Sequence, residues 1–199
     1  VKCVGVAGTS RAMSPAEMDA ELVPVLQALW ALRPPLLHYK VCSTFDSAPQ
    51  IGSIGHVVDR ARQRLIAGRT VPIVAGSPPL RRYTVFGNHF AAAGDTVHRL
   101  DRHPTMSRHP VTPMREADLR LHLADQTSGS VGLMSLEDLD GSPAQVDARF
   151  AQRMAESPAM LLFDVLDDVR LREAGRLIWD QARTAPQFVV GSSGVGYAL

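Results

Sequence analysis

Along this chain, short apolar runs alternate with longer segments in which apolar residues return every three or four positions. The first pattern predicts strands and the second predicts helices. Strands are expected at residues 2–6, 36–41 and 71–75. Between the first two, Ser14-Pro15-Ala16-Glu17 is a helix start: a serine to accept a first-turn N–H, a proline where no N–H is needed, and a glutamate placed to close a capping box. The helix that follows puts Met18, Leu22, Val25 and Leu29 on one face, and Pro34-Pro35 ends it. A second helix turns Ile54, Val57, Val58, Ala61 and Leu65 inward and closes at Gly68. Further strands are expected at 131–136, 159–165 and 188–190, with helices at 143–155 and 168–182, the latter burying Ala174, Leu177 and Ile178. Strands alternating with helices predict an α/β fold: a doubly wound, mainly parallel sheet with helices on both faces, in three α/β/α layers.

Residues 80–113 break the alternation. This stretch is rich in Pro and His and longer than an ordinary connector, which marks it as a functional loop. Arg99, Arg102, Arg108 and Arg115 recur there among His98, His103 and His109, with Asp101 and Glu116 the nearby acids. Thr112 is expected to cap a short helix through Leu123, although Leu119, Leu121 and Leu123 alternate as a strand would.

A chain of 199 residues fits one domain, and 45% hydrophobic residues with a net charge of +1 describe an ordinary globular protein. The charge balance gives no electrostatic case for nucleic acid. No apolar run approaches the roughly 20 residues of a membrane span, and the N-terminus lacks signal-peptide form, so a cytoplasmic setting is expected. Cys3 and Cys42 are too few and too far apart for a disulfide framework or a zinc site; both are expected as small apolar residues in or beside buried strands.

Three polar segments fall just past the expected carboxyl ends of strands, where ligands gather in such sheets: residues 8–11 (GTSR), 42–47 (CSTFDS) and 191–194 (GSSG). Together with Lys40 they supply cations (Arg11, Lys40), hydroxyls (Ser10, Ser43, Thr44, Ser47) and a carboxylate (Asp46), which suits a ligand carrying both a carboxylate and hydroxyls. The competing reading is structural, with Ser43 and Thr44 in a turn and Asp46 capping the next helix. Arg102-His103-Pro104 and Arg108-His109-Pro110 repeat at a spacing of six. Zinc is a poor fit, because no Cys or carboxylate stands at a partner spacing. A stiffened basic loop holding an anion through Arg108 and His109 fits better; a solvated loop is the alternative. Gly191, Ser192, Ser193 and Gly194 follow an apolar strand, so their N–H groups are candidates to cradle a phosphate, although the segment is no Walker motif and equally fits a flexible turn.

In sequence order, Ser10-Arg11, YKVCSTFDS at 39–47, RHPTMSRHPVTPM at 102–114 and GSSG at 191–194 resemble the N-terminal sugar-binding domain of the four-carbon acid sugar kinases, a family also labelled type III effector Hrp-dependent outer protein. No secretion or host-targeting feature supports the effector label. The resemblance implies a kinase for threonate, erythronate or 3-oxo-tetronate, using ATP and Mg2+ when full length, with the HPVTPM segment at 109–114, Thr112 included, near the substrate. Relatives open with an acidic ADDxTGA-like segment and carry a nucleotide-binding domain downstream. Neither stands in this sequence, so residues 1–199 are expected to be one sugar-acid-binding domain, inactive alone, without tightly bound ATP or Mg2+. The partners implied are a small sugar acid and the nucleotide-binding domain; a homo-oligomer stays open. The catalytic carboxylate is expected in the absent acidic segment. VAGTSR, where relatives read closer to ALKSR, and Arg81-Arg82-Tyr83 leave the acid itself open. The alternatives are a non-catalytic sugar-acid sensor on the same fold and a hydrolase or isomerase using Asp46 with His109, for which there is no nucleophile elbow or paired-carboxylate signature.

Overall fold

In the computed structural model, which describes residues 3–199, the first helix opens where its cap residues demand it. Ser14 Oγ accepts the Glu17 N–H at 3.3 Å and Glu17 Oε2 accepts the Ser14 N–H at 2.7 Å, closing a capping box over α1 (Pro15–Glu17). The helix widens into a π turn at Met18–Leu22 and resumes as α2 (Val23–Ala31). Pro24 has no N–H to return to the preceding turn, and the widened turn accommodates that loss. Then come β1 (Leu36–Lys40), α3 (Ile54–Arg64), β2 (Val71–Val74), β3 (Arg82–Val85), β4 (Asn88–Ala93), β5 (Thr96–Arg99), α4 (Leu119–Ala124), β6 (Val131–Met134), α5 (Pro143–Ala155), β7 (Met160–Phe163), α6 (Asp168–Thr184), β8 (Gln187–Gly191) and α7 (Gly194–Ala198).

The main sheet has the order β1-β8-β2-β7-β6, with every pairing parallel. Side chains alternate along each strand. Val71, Ile73, Met160, Leu162, Phe188 and Val190 meet Leu26, Val57, Val58 and Leu123 from α2, α3 and α4. Leu161, Phe163 and Val189 turn the other way, onto Val146, Ala174, Ile178 and Val195 from α5, α6 and α7. The three-layer α/β/α expectation therefore holds, and the strands buried on both faces are the ones that read as unbroken apolar runs. All five carboxyl ends share one edge, which aligns the loops that follow them in sheet order.

Three sequence expectations fail. Lys2 lies outside the described residues, and residues 3–6 are exposed and form no strand, with Val4 and Val6 turned to solvent; Cys3 is exposed, not buried. An apolar run becomes a strand only when a neighbour completes its hydrogen-bond ladder, and no strand among the described residues pairs with it. The expected loop at 80–113 contains an antiparallel sheet of β3, β4 and β5. Its first hairpin turns on Phe86-Gly87, both at positive φ (48° and 82°), and its second on Gly94-Asp95. Ala91 packs with Leu100, Met106, Met114 and Ala117 in a separate apolar cluster that fastens residues 100–117 onto this sheet. Finally, Thr112 caps nothing: Asp118 Oδ1 accepts the Arg120 N–H at 3.0 Å and starts α4.

Candidate functional site

Lys40, exposed, ends β1 opposite Gly191 of β8. The chain then folds back on itself: the Phe45 N–H donates to the Cys42 carbonyl at 3.0 Å, and Phe45 takes φ +53° with its ring fully buried. The buried ring thus sits in a turn conformation that bulky residues seldom adopt.

The Asp46 side chain is fully buried. Thr44 Oγ1 donates to its Oδ1 at 2.6 Å, while Arg11 Nε and Nη2 donate to its Oδ2 at 3.0 and 2.7 Å. Burial alone would raise the carboxyl pKa, but the bonds from Thr44 and Arg11, with the Arg11 charge, outweigh it and leave it below its ordinary value. Arg11 keeps 60% of its side chain exposed. Beside it, Ser10 Oγ and Tyr39 OH are 2.9 Å apart. Gly52, at φ +61°, lets this segment approach: a Cβ there would lie 2.6 Å from the Arg11 carbonyl oxygen. Residues 8–11 and 42–47 thus meet at one corner of the sheet edge. Asp46 does not cap a helix, because Ser53 Oγ accepts the His56 N–H at 3.2 Å at the start of α3.

Two histidines that sequence reasoning left unassigned reach this loop. His89 Nε2 lies 2.9 Å from the Ser43 carbonyl and His122 Nε2 lies 2.9 Å from Ser47 Oγ. Gln126 Nε2 donates to Ser47 Oγ at 2.9 Å while its Oε1 accepts the Gly55 N–H at 3.2 Å. Burial pushes both histidines down to about 4. Of the loop's polar residues, Thr44, Asp46 and Ser47 are buried and satisfied; Ser43 is half-buried.

The repeated Arg-His-Pro segments are two histidine-closed turns. His103 Nδ1 accepts the N–H groups of Thr105 and Met106, each at 3.2 Å, and His109 Nδ1 accepts the Thr112 N–H at 3.0 Å, with Thr112 Oγ1 also at 3.0 Å. Arg108 is exposed. Among the described residues, no hydrogen bond or ion pair joins Arg108, His109 or Thr112 to Lys40 or Asp46.

The GSSG turn is shaped by packing. A Cβ on Gly191 would lie 2.2 Å from the Val74 carbonyl oxygen, and one on Gly194 would lie 2.0 Å from that of Gly76. The N–H groups of Ser192, Gly194 and Val195 are taken by the Val74 carbonyl, Ser192 Oγ and the Ser192 carbonyl. Ser192 is fully buried, and α7 has only five residues. The Ser192 and Gly194 donors expected to cradle a phosphate are thus engaged within the fold, and only Ser193 of the four presents appreciable surface.

Asp164, at the carboxyl end of β7, was also missed. Its buried carboxylate accepts the N–H groups of Phe86, Gly87 and Leu136 at 2.6, 2.9 and 3.1 Å, tying the β3–β4 hairpin to the sheet edge. Burial pushes it up to about 6 despite those bonds. The signal available in sequence was an acid closing a wholly apolar strand. Among the described residues no three His, Cys, Asp or Glu side chains come together as a metal site, and no helix is long and apolar enough to cross a membrane. The arrangement suits recognition of an oxygen-rich anion.

The family model for the sugar-binding N-terminal domain matches residues 1–199. A 3-oxo-isoapionate kinase from Paraburkholderia graminis is 53% identical over all of this chain and 42% of its own length. A 3-oxo-tetronate kinase from Burkholderia multivorans is 32% identical over 98% of this chain and 42% of its own length. This chain therefore spans less than half of the curated relatives it matches. Among solved structures, a Haemophilus influenzae protein superposes with a TM-score of 0.80 at 28% identity, over 95% of this chain and 43% of that one. A Bordetella bronchiseptica protein, crystallised with citrate as a domain-swapped dimer, shares the fold with a TM-score of 0.72 at 22% identity, over 97% of this chain and 43% of that one. The chain belongs to the family of sugar-binding N-terminal domains.

Proposed function

We propose that this sugar-binding N-terminal domain is the substrate seat of an ATP-dependent kinase that phosphorylates a hydroxyl of a 3-oxo sugar acid. The observation that carries the reading is the meeting of Ser10-Arg11 with residues 42–47 beside Lys40, two distant segments joined at the strand edge where ligands of α/β sheets bind. The names of the kinases most similar to it among those described above supply the ligand class. In this reading Lys40 and the exposed face of Arg11 receive the acid's carboxylate, and Ser10 and Ser43 meet its hydroxyls. Asp46 and Thr44 act through Arg11, since both carboxylate oxygens are already engaged. Arg108, His109 and Thr112 form a second basic element on the neighbouring small sheet, available to an anionic ligand that bridges toward it. We place the protein in the cytoplasm, where such a metabolic kinase would find ATP.

ATP with Mg2+ would supply the transferred phosphoryl group. Among the described residues the Ser192 and Gly194 N–H groups are engaged within the fold and no three acidic, histidine or cysteine side chains gather for the metal, so this domain offers the nucleotide few groups. Their binding falls to other parts of a full-length kinase.

Calorimetry of the chain with 3-oxo-tetronate, 3-oxo-isoapionate, erythronate and threonate tests the reading, run beside an ATP-turnover assay. Weak binding of at least one acid without turnover is expected. No binding of any acid at millimolar concentration would sink it.

A further inference from the structure

The 42–47 loop is gripped from outside at both ends, by two histidines in opposite tautomers. The Ser43 carbonyl can only accept, so His89 donates to it through Nε2–H at 2.9 Å, and its bare Nδ1 takes the Thr84 hydroxyl at 3.1 Å. At the other end the Gln126 amide is oriented by the Gly55 N–H on its oxygen, so its Nε2, 3.0 Å from His122 Nε2, must donate there. His122 Nε2 is therefore an acceptor, and Ser47 Oγ stands 2.9 Å from it, its one hydroxyl proton also within reach of the Phe45 carbonyl at 3.2 Å. Between the two grips lies Phe45 at φ +53°, its ring edge-to-face with His122 at 6.5 Å.

A bulky residue holds a left-handed conformation only where its surroundings impose it. We propose that His89 and His122 are positioning residues, which jointly impose the turn at Phe45 and so set Ser43, Arg11 and Lys40 in the arrangement that receives a sugar acid. The ligand part rests on the function proposed above; the grip itself does not. His89 belongs to β4, so the small antiparallel sheet, itself held by Asp164, serves to brace the binding loop. Both rings, kept neutral by burial, hold their grip across the physiological range.

The test uses His89→Leu, which removes the donor, against His89→Gln, whose amide N–H reaches a similar point. His122→Phe keeps a ring against Phe45 and removes the acceptor. Thr84→Val, nearly isosteric, frees the His89 tautomer and serves should His89→Leu fail to fold. Two readouts are needed: hydrogen exchange of the Phe45 amide without ligand, and the calorimetric Kd for 3-oxo-tetronate. Exchange faster by about tenfold and a Kd weaker by a similar factor are expected in His89→Leu and His122→Phe, with His89→Gln recovering most of both. Unchanged Phe45 exchange in the folded variants overturns the grip whatever the ligand does. Faster exchange with unchanged Kd overturns its link to binding. Altered exchange in a protein whose parent binds no sugar acid keeps the grip and removes the functional reading.

Discussion

Arg11 Nη2 meets Asp46 Oδ2 at 2.7 Å across 35 residues of sequence, and this pair fixes the corner where both segments of the candidate site join. One partner is exposed and the other buried. The loss of either is therefore unequal: removing Arg11 strands a buried carboxylate, while neutralising Asp46 frees a solvated guanidinium.

Asp46→Asn should cost about 1 to 3 kcal/mol of stability and weaken sugar-acid binding, because the amide cannot accept from both Thr44 and Arg11 as the carboxylate does. Melting curves and calorimetry on the same variant check it; unchanged melting would contradict the buried pairing. The folded pKa of Asp46 is depressed, so its stabilisation is present above the ordinary carboxylate range and is lost as pH falls through the folded value.

Asp164 carries the opposite sign. Its folded pKa, about 6, stands above the ordinary value, so the proton is bound more tightly in the folded chain. Its contribution is full below about pH 4 and fades as pH rises through 6, on the order of 3 kcal/mol over the window. Asp164→Asn should flatten the wild-type rise in stability between pH 7 and pH 5, measured as the difference in urea midpoints of the two proteins. Parallel pH curves would rule out this assignment.

Gly194→Ala should destabilise the fold by at least about 2 kcal/mol, since the new Cβ meets the Gly76 carbonyl oxygen at 2.0 Å. Ser193→Ala should fall within about 0.5 kcal/mol of wild type. Thermal melts compare them directly, and a tolerant Gly194 would reopen the phosphate-cradle reading of this turn.

Lys40→Met should weaken binding of 3-oxo-tetronate by about 1 to 3 kcal/mol and leave the weak binding of a neutral four-carbon polyol unchanged, because the side chain contributes charge. Titrations at two salt concentrations separate the cases: the wild-type affinity should fall with salt and that of the variant should fall less. Equal losses for acid and polyol would assign Lys40 a structural part.

The periodic segments were legible because each needs only its own neighbours. α5 spans Pro143–Ala155, where the pattern places it, and the capping box at Ser14 forms as read. The alternation of strands and helices carried the fold class for the same reason, since a helix crossover returns the chain to a parallel neighbour. The small antiparallel sheet was missed although Gly87-Asn88 and Gly94-Asp95 were visible turn signals, and although a long structureless connector already argued against itself.

By itself the sequence determined the main helices, the inner strands, and that the polar residues 42–47 would stand past the end of one strand. Only the tertiary structure decided which of those residues remain free to meet a ligand. Asp46, Thr44 and Ser47 read from sequence as ligand groups, yet each is satisfied inside the fold by Arg11, Asp46, His122 or Gln126. A hydroxyl or carboxylate is specified by its residue, but its hydrogen-bond partner comes from segments whose approach is set by packing of the whole chain. The same holds for residues 3–6, apolar enough for a strand and left without a partner among the described residues, because a ladder is made by two strands and a pattern describes only one.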